Sequence, residues 1–282
     1  MPQFTNQAQL SFSGGVVNSN IAVGQILDVL SATKTALREN YTVGETVVYA
    51  VNLINSGTTS YTNLTLTDDL GAYTVGTDTV TPLTYTPNSV LYLINGVPQA
   101  DPAVTAGPPL TVSGISVPAG GNTTVIYEVT VNSFADPQTG GSITNTVTVS
   151  GGITPITASE TVTATVSPAL SITKSIEPVP VTENGRVTYT FLIENTGNTP
   201  VVATDNASVS DLFDPILTNL SVSFNGEAWT EGANYAYDET TGQFTTNPGE
   251  ITLPAATFTQ NPDGSWNVTP GTAILTVSGN LS

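Results

Sequence analysis

Only two lysines occur among 282 residues, Lys34 and Lys174, and each sits in the same short context, Ser-x-Thr-Lys, at the start of a long stretch of matching residues. An acid follows each at a similar distance: Asp68 lies 34 residues after Lys34 and Asp211 lies 37 after Lys174. The plainer use of such a lysine is an edge-strand side chain that reaches water or pairs with an acid. The alternative is chemistry between a lysine amine and an asparagine carboxamide, which forms an isopeptide bond and releases ammonia. That reaction needs a neutral amine and a neutral carboxylic acid side by side. An apolar core supplies both, because burial lowers a lysine pKa and raises that of an aspartic acid. In the first half of the chain the candidates are Lys34 as nucleophile, Asn145 as acceptor and Asp68 as the acid that promotes the reaction. Glu128 is a rival acid without a counterpart in the second half, so the shared pair Asp68 and Asp211 is preferred.

The elements that must position these groups are strands. Thr, Val, Ser, Asn and Gly dominate, and alternation of period two recurs, as in Val47-Val48-Tyr49-Ala50-Val51-Asn52-Leu53; no apolar pattern of period 3.6 persists. The chain also repeats itself. Tyr49 and Tyr189 both stand 15 residues after their lysines, and Asn55 with Gly57 stand at the same offsets as Asn195 with Gly197. Two Asn-Gly turns, Asn95-Gly96 and Asn225-Gly226, predict equivalent hairpins of type I′. The expected fold is therefore all-β: two tandem β-sandwich domains, residues 29–167 and 168–282, preceded by a segment 1–28.

That leading segment reads as a strand out of place. Phe4-Thr5-Asn6 matches Ile143-Thr144-Asn145, and both copies run on to Gly-Gly, at Gly14-Gly15 and Gly151-Gly152. No copy of this strand follows the second domain. The expectation is that Phe4, Asn6, Ala8, Leu10 and Phe12 form a donor strand that completes the second domain of a neighbouring subunit. Asn6 would then meet Lys174 of that neighbour, beside Asp211, and the joint would become covalent.

The pattern from Lys34 through Val-Tyr-x-Val-x-Leu-x-Asn-x-Gly to Thr67-Asp68, closing on Ile143-Thr144-Asn145-Thr146-Val147-Thr148-Val149, resembles the bacterial surface-repeat family known as domain of unknown function eleven. The order Lys, Asp, Asn is similar to that of the self-crosslinking domains of collagen adhesins. These resemblances imply an immunoglobulin-like sandwich of the kind found in stalks and cell-surface proteins.

Composition removes other classes. With no cysteine and no histidine there is no disulfide, thiolate, histidine base or ordinary zinc or haem site. Four basic against 22 acidic residues give a charge of −18, which repels nucleic acid and anionic membranes. Asp205, Asp211 and Asp214 could hold calcium, but solvated loop acids are the preferred reading, and neither metal nor cofactor is expected. No apolar stretch is long enough to span a bilayer. Trp229 and Trp266 are expected as core or loop anchors. The expectation is thus a non-enzymatic, self-assembling fibre subunit on a cell or spore surface, whose partner is another copy of itself, with an anchor or ligand left open and no leader visible. A surface adhesin or stalk module is the alternative.

Overall fold

A computed structural model describes residues 3–25 and 28–281; Met1, Pro2, Ile26, Leu27 and Ser282 lie outside the described residues. Strands make up more than half of the described chain, and its one helical element is the single 3₁₀ turn Ala203–Asp205. No helix among the described residues is long and apolar enough to cross a membrane.

Residues after Val29 build a sandwich of two sheets. One sheet has the order Val97–Pro98, Leu91–Ile94, Asn122–Val131, Thr46–Asn55, Leu30–Ala36. The facing sheet has the order Ala103–Thr105, Leu110–Val117, Tyr61–Asp68, Ser142–Ser150, Ile156–Ala164, Asn40–Tyr41. Alternation decides what fills the space between them: Val47, Tyr49, Val51 and Leu53 turn inward from one sheet, and Leu64, Leu66, Val147 and Val149 from the other.

A second, separate core is formed by residues from Val187 to Val277. Its larger sheet, Glu227–Trp229, Leu217–Phe224, Gly271–Leu281, Arg186–Asn195, Leu170–Glu177, repeats the strand order of the first sandwich position by position. Its smaller sheet stops short. Tyr235–Asp238, Gln243–Thr246 and Ser210–Leu212 correspond to the first three strands of the facing sheet, but no strand among the described residues pairs with the far edge of Ser210–Leu212.

What fills that place in the first sandwich is a hairpin, Ser142–Ser150 with Ile156–Ala164. A second hairpin of the same kind stands free at the front of the chain. Gln3–Asn6 and Gln9–Phe12 run against Ala22–Gln25 and Gly15–Asn18, and nearly every residue is exposed. The leading segment is therefore two strands wide, where the sequence reading emphasised one. Ala8 sits in a bulge between the first two strands: its N–H donates to Ser19 Oγ, and Ser19 N–H donates to its carbonyl. The two extra residues here restore register, so that Phe4, Asn6, Leu10 and Phe12 correspond to Ile143, Asn145, Val147 and Val149.

The repeated Asn-x-Gly turns owe their shape to a buried amide. Asn55 Nδ2 donates to the carbonyls of Thr59 and Pro118 at 2.9 and 3.0 Å, and its Oδ1 accepts from Gly57 N–H at 2.9 Å. Asn195 repeats the plug with Thr199, Pro254 and Gly197. Asn55→Ala should therefore cost about 2–3 kcal/mol by stranding buried backbone groups, read as a lowered denaturant midpoint. The Asn-Gly hairpins also form as expected, with positive φ at Asn95 and Gly96 (49° and 77°) and at Asn225 and Gly226 (51° and 87°).

The two cores meet through the hairpin Thr257–Gln260 and Trp266–Thr269. Trp266 N–H donates to the Ser133 carbonyl, and Tyr73 Oη donates to the carbonyls of Phe134 and Gly264. Trp229 packs within the second unit, stacked on Phe224 at 4.9 Å.

Candidate functional site

Lys34 points from Leu30–Ala36 into the first core, where it is 4% exposed. Its Nζ donates to Asp68 Oδ2 at 2.5 Å. The strands of Lys34 and Asn145 lie in opposite sheets, and the lysine reaches Asp68 across the core. Two tyrosines from the lysine's own sheet enclose it. Lys34 Nζ is 4.7 Å from the centre of the Tyr49 ring and 5.9 Å from that of Tyr127. Tyr127 Oη donates to the same Asp68 oxygen, and Leu70 N–H donates to Asp68 Oδ1 at 2.9 Å.

Asn145 completes the group. It is wholly buried on the inner face of Ser142–Ser150, two residues from Val147, which is the partner of Asp68 in the ladder. Among the described residues neither its Nδ2 nor its Oδ1 has a hydrogen bond, and the Tyr49 hydroxyl is buried without one as well. The amide lies near enough to both tyrosines to act on their ionisation, yet no contact reaches hydrogen-bonding geometry. Buried polar atoms without partners are rare in a folded core. Here an amide, an amine and an acid share a space from which water is excluded.

Burial sets the protonation of the site. It holds the Lys34 amine below its ordinary 10.5, against the opposing pull of Asp68, Asp69 and Glu160. Burial, then the Asp68 charge, pushes the Tyr49 and Tyr127 hydroxyls up. A sign follows for stability. Between the lowered Lys34 value and 10.5 the unfolded chain binds more protons than the folded one, so stability rises with pH. Above 10 the unfolded tyrosines lose protons first, and stability falls. An Asn145→Ala chain, which keeps both groups free, should therefore be most resistant to denaturant near pH 10 and less so on either side.

The second set is assembled differently. Lys174 Nζ donates to Asp211 Oδ2, but the two side chains are 39% and 19% exposed. Lys174 keeps its aromatic floor, 4.4 Å from the Tyr189 ring and 5.4 Å from that of Phe213. Along Leu170–Glu177 every residue is exposed, where Leu30–Ala36 alternates between buried and open positions. Asn6 stands exposed on the free hairpin, opposite Ala22, and is not brought to Lys174. Phe4, Leu10 and Phe12 are exposed with it.

Glu128, the rival acid, is exposed on Asn122–Val131, because it lies one residue out of phase with Tyr127 and Val129. The sequence reading missed Tyr127 at this site and used Tyr49 only as a spacing marker. Their phase was readable, since both occupy inward positions of long strands. Asp69 was also passed over: its Oδ1 accepts from Thr146 N–H at 2.9 Å and so fixes the hairpin beside Asp68. In the second half Leu212 stands at that position.

No family model matches the sequence, and no curated protein matches it. Solved structures of bacterial surface proteins share part of its shape. The major pilin subunit of Bacillus cereus is similar over 98% of this chain and 74% of its own, with 11% identity and a TM-score of 0.37. The pilus backbone of Streptococcus pneumoniae is similar over 86% of this chain and 55% of its own, with 13% identity and a TM-score of 0.35. A collagen-binding domain from a Staphylococcus aureus adhesin matches 49% of this chain and 99% of its own, with 13% identity and a TM-score of 0.31.

Proposed function

We propose that this chain is a structural subunit of an extracellular surface fibre, which polymerises head to tail by donating its N-terminal hairpin, residues 3–25, to the second unit of a neighbour. The observation that carries this reading is a match between a piece left over and a place left open. Among the described residues the first sandwich holds a hairpin against Tyr61–Asp68, the second unit leaves the corresponding edge of Ser210–Leu212 unpaired, and a hairpin of the same kind stands free. An unpaired edge next to apolar surface favours addition of a strand. Leu170, Ile172 and Leu212 are more than half exposed around the open place, as are Phe4, Leu10, Phe12 and Val17 on the hairpin. Each of these gains on the order of 1 kcal/mol when covered. Because the joint links the front of one copy to the back of another, it is heterologous and extends into a filament.

Docking in this register puts Leu10 opposite Asp211, as Val147 is opposite Asp68, and brings Asn6 over Lys174. The same chemistry then serves twice: Lys34 with Asn145 inside each subunit, and Lys174 with Asn6 across each joint, promoted by Asp68 and Asp211. The high negative charge keeps such a fibre solvated and away from nucleic acid.

Two measurements on the purified full chain test this. Negative-stain microscopy should show threads whose boiled samples run as a ladder on a denaturing gel, and intact mass should fall by one ammonia for each bond. A monomer that never associates would reject the fibre. Threads that boil to unmodified monomer would reject the covalent joint alone.

A further inference from the structure

The Lys34 site contains a hydroxyl that the chemistry described so far does not use. Tyr127 is committed to Asp68 Oδ2, where it and Lys34 hold the carboxyl in place. Tyr49 is not committed: its hydroxyl is buried without a hydrogen bond to any of the described residues, in the same enclosure as the unbonded Asn145 amide. An unpaired donor in a dry core is costly. It is tolerated where the charge it awaits exists only during a reaction.

We propose that the Tyr49 hydroxyl is the oxyanion donor of the crosslinking reaction, stabilising the negative charge that develops on Asn145 Oδ1 when Lys34 Nζ adds to Asn145 Cγ. The inference rests on the isopeptide reading above. A proton first moves from the Lys34 ammonium to Asp68, leaving a neutral amine and a neutral acid. The amine lone pair forms the bond to Cγ, and the carbonyl π electrons move to Oδ1, which accepts the Tyr49 O–H. Asp68 gives its proton to Nδ2 and takes one from the new Nζ–Cγ nitrogen. The Cγ–Nδ2 bond breaks, ammonia leaves and the carbonyl reforms, so an amine and a carboxamide become one amide and one ammonia with no other reactant.

The repeat supports the assignment to Tyr49 over Tyr127. In the first unit Tyr49 and Tyr127 are cross-strand partners; in the second unit the partners at those places are Tyr189 and Val277. The tyrosine next to Asp68 is thus dispensable to the pattern, while the one under the lysine is kept, with Lys34 and Lys174 at 4.7 and 4.4 Å from the two rings. A hydrophobic wall would be served equally by phenylalanine. The phenol is what both sites share.

Tyr49→Phe keeps the ring and removes the donor. In full chain made by cell-free synthesis, intact mass followed over time should show the intramolecular ammonia loss slowed by roughly 10²–10³-fold, the range for loss of one oxyanion donor. The Asn145→Ala chain, with and without Tyr49→Phe, should show the same denaturant midpoint or a higher one for the double variant, since an unpaired buried hydroxyl has been removed. Site-specific fluorotyrosine at position 49, a stronger donor of the same shape, should quicken the reaction and covers the case of a Phe variant that does not fold. A Tyr49→Phe chain that crosslinks within about threefold of the wild-type rate, or a fluorotyrosine chain of unchanged rate, overturns the role of Tyr49. Wild-type chain that never loses ammonia overturns the isopeptide reading instead.

Discussion

A chain lacking residues 1–25 is expected to fold normally and to remain monomeric at every concentration. The hairpin it loses makes its hydrogen bonds within itself and is exposed along nearly its whole length, so neither core is touched by its removal. Its melting temperature should stay within about 2 °C of that of an uncrosslinked full chain, because a change of that size corresponds to well under 1 kcal/mol in a unit of this length. Polymerisation should fall from complete to undetectable in sedimentation and in negative-stain images. The truncated chain still carries the open edge at Ser210–Leu212 and the exposed Lys174, so it has an acceptor and no donor. Added at a tenth of the concentration of full-length chain, it should shorten the threads by ending growth at one pole. Truncated chain that still forms threads would mean the joint is made elsewhere.

Asp68→Ala is expected to have the largest effect on the first unit, in two separable ways. Asp68 is the hydrogen-bond partner of Lys34, Tyr127 and Leu70 at once, so its removal leaves a buried amine unpaired. Breaking a buried pair from one side costs about 3–5 kcal/mol. The acid that carries the proton to the leaving nitrogen is also gone, so ammonia loss at Asn145 should stop. A further share of resistance to heat goes with the bond itself, since a link between residues 34 and 145 closes a loop worth about 4–5 kcal/mol by the chain-entropy model. Asp68→Asn separates the two effects. It retains most of the hydrogen bonding and hence more stability, but it has no proton to shuttle, so its crosslinking should be as absent as that of the Ala variant. Calorimetry should show the transition of the first unit shifted down while that of the second stays in place. Asp68→Asn chain that loses ammonia at the wild-type rate would remove the acid from the mechanism.

Much of this could be read from the order of residues. Period-two alternation specified strands because side chains on a pleated backbone face opposite sides in turn, and the fixed offsets from Lys34 and Lys174 announced two copies of one unit. The pairing of Lys34 with Asp68 was legible for a related reason: the same two residue types recur at nearly the same spacing in the second copy, as Lys174 and Asp211.

The rest needed the third dimension, because strand pairing and sheet facing depend on contacts between residues far apart in sequence, which no local pattern encodes. Only the fold shows that Lys34 reaches Asp68 from the opposite sheet, that Tyr127 and not Glu128 stands beside that acid, and that Tyr49 and Asn145 are left without hydrogen-bond partners among the described residues. Only the fold, too, separates two lysines that look alike in sequence: a docked hairpin seals Lys34 from water, and the open edge beside Ser210–Leu212 leaves Lys174 half in it.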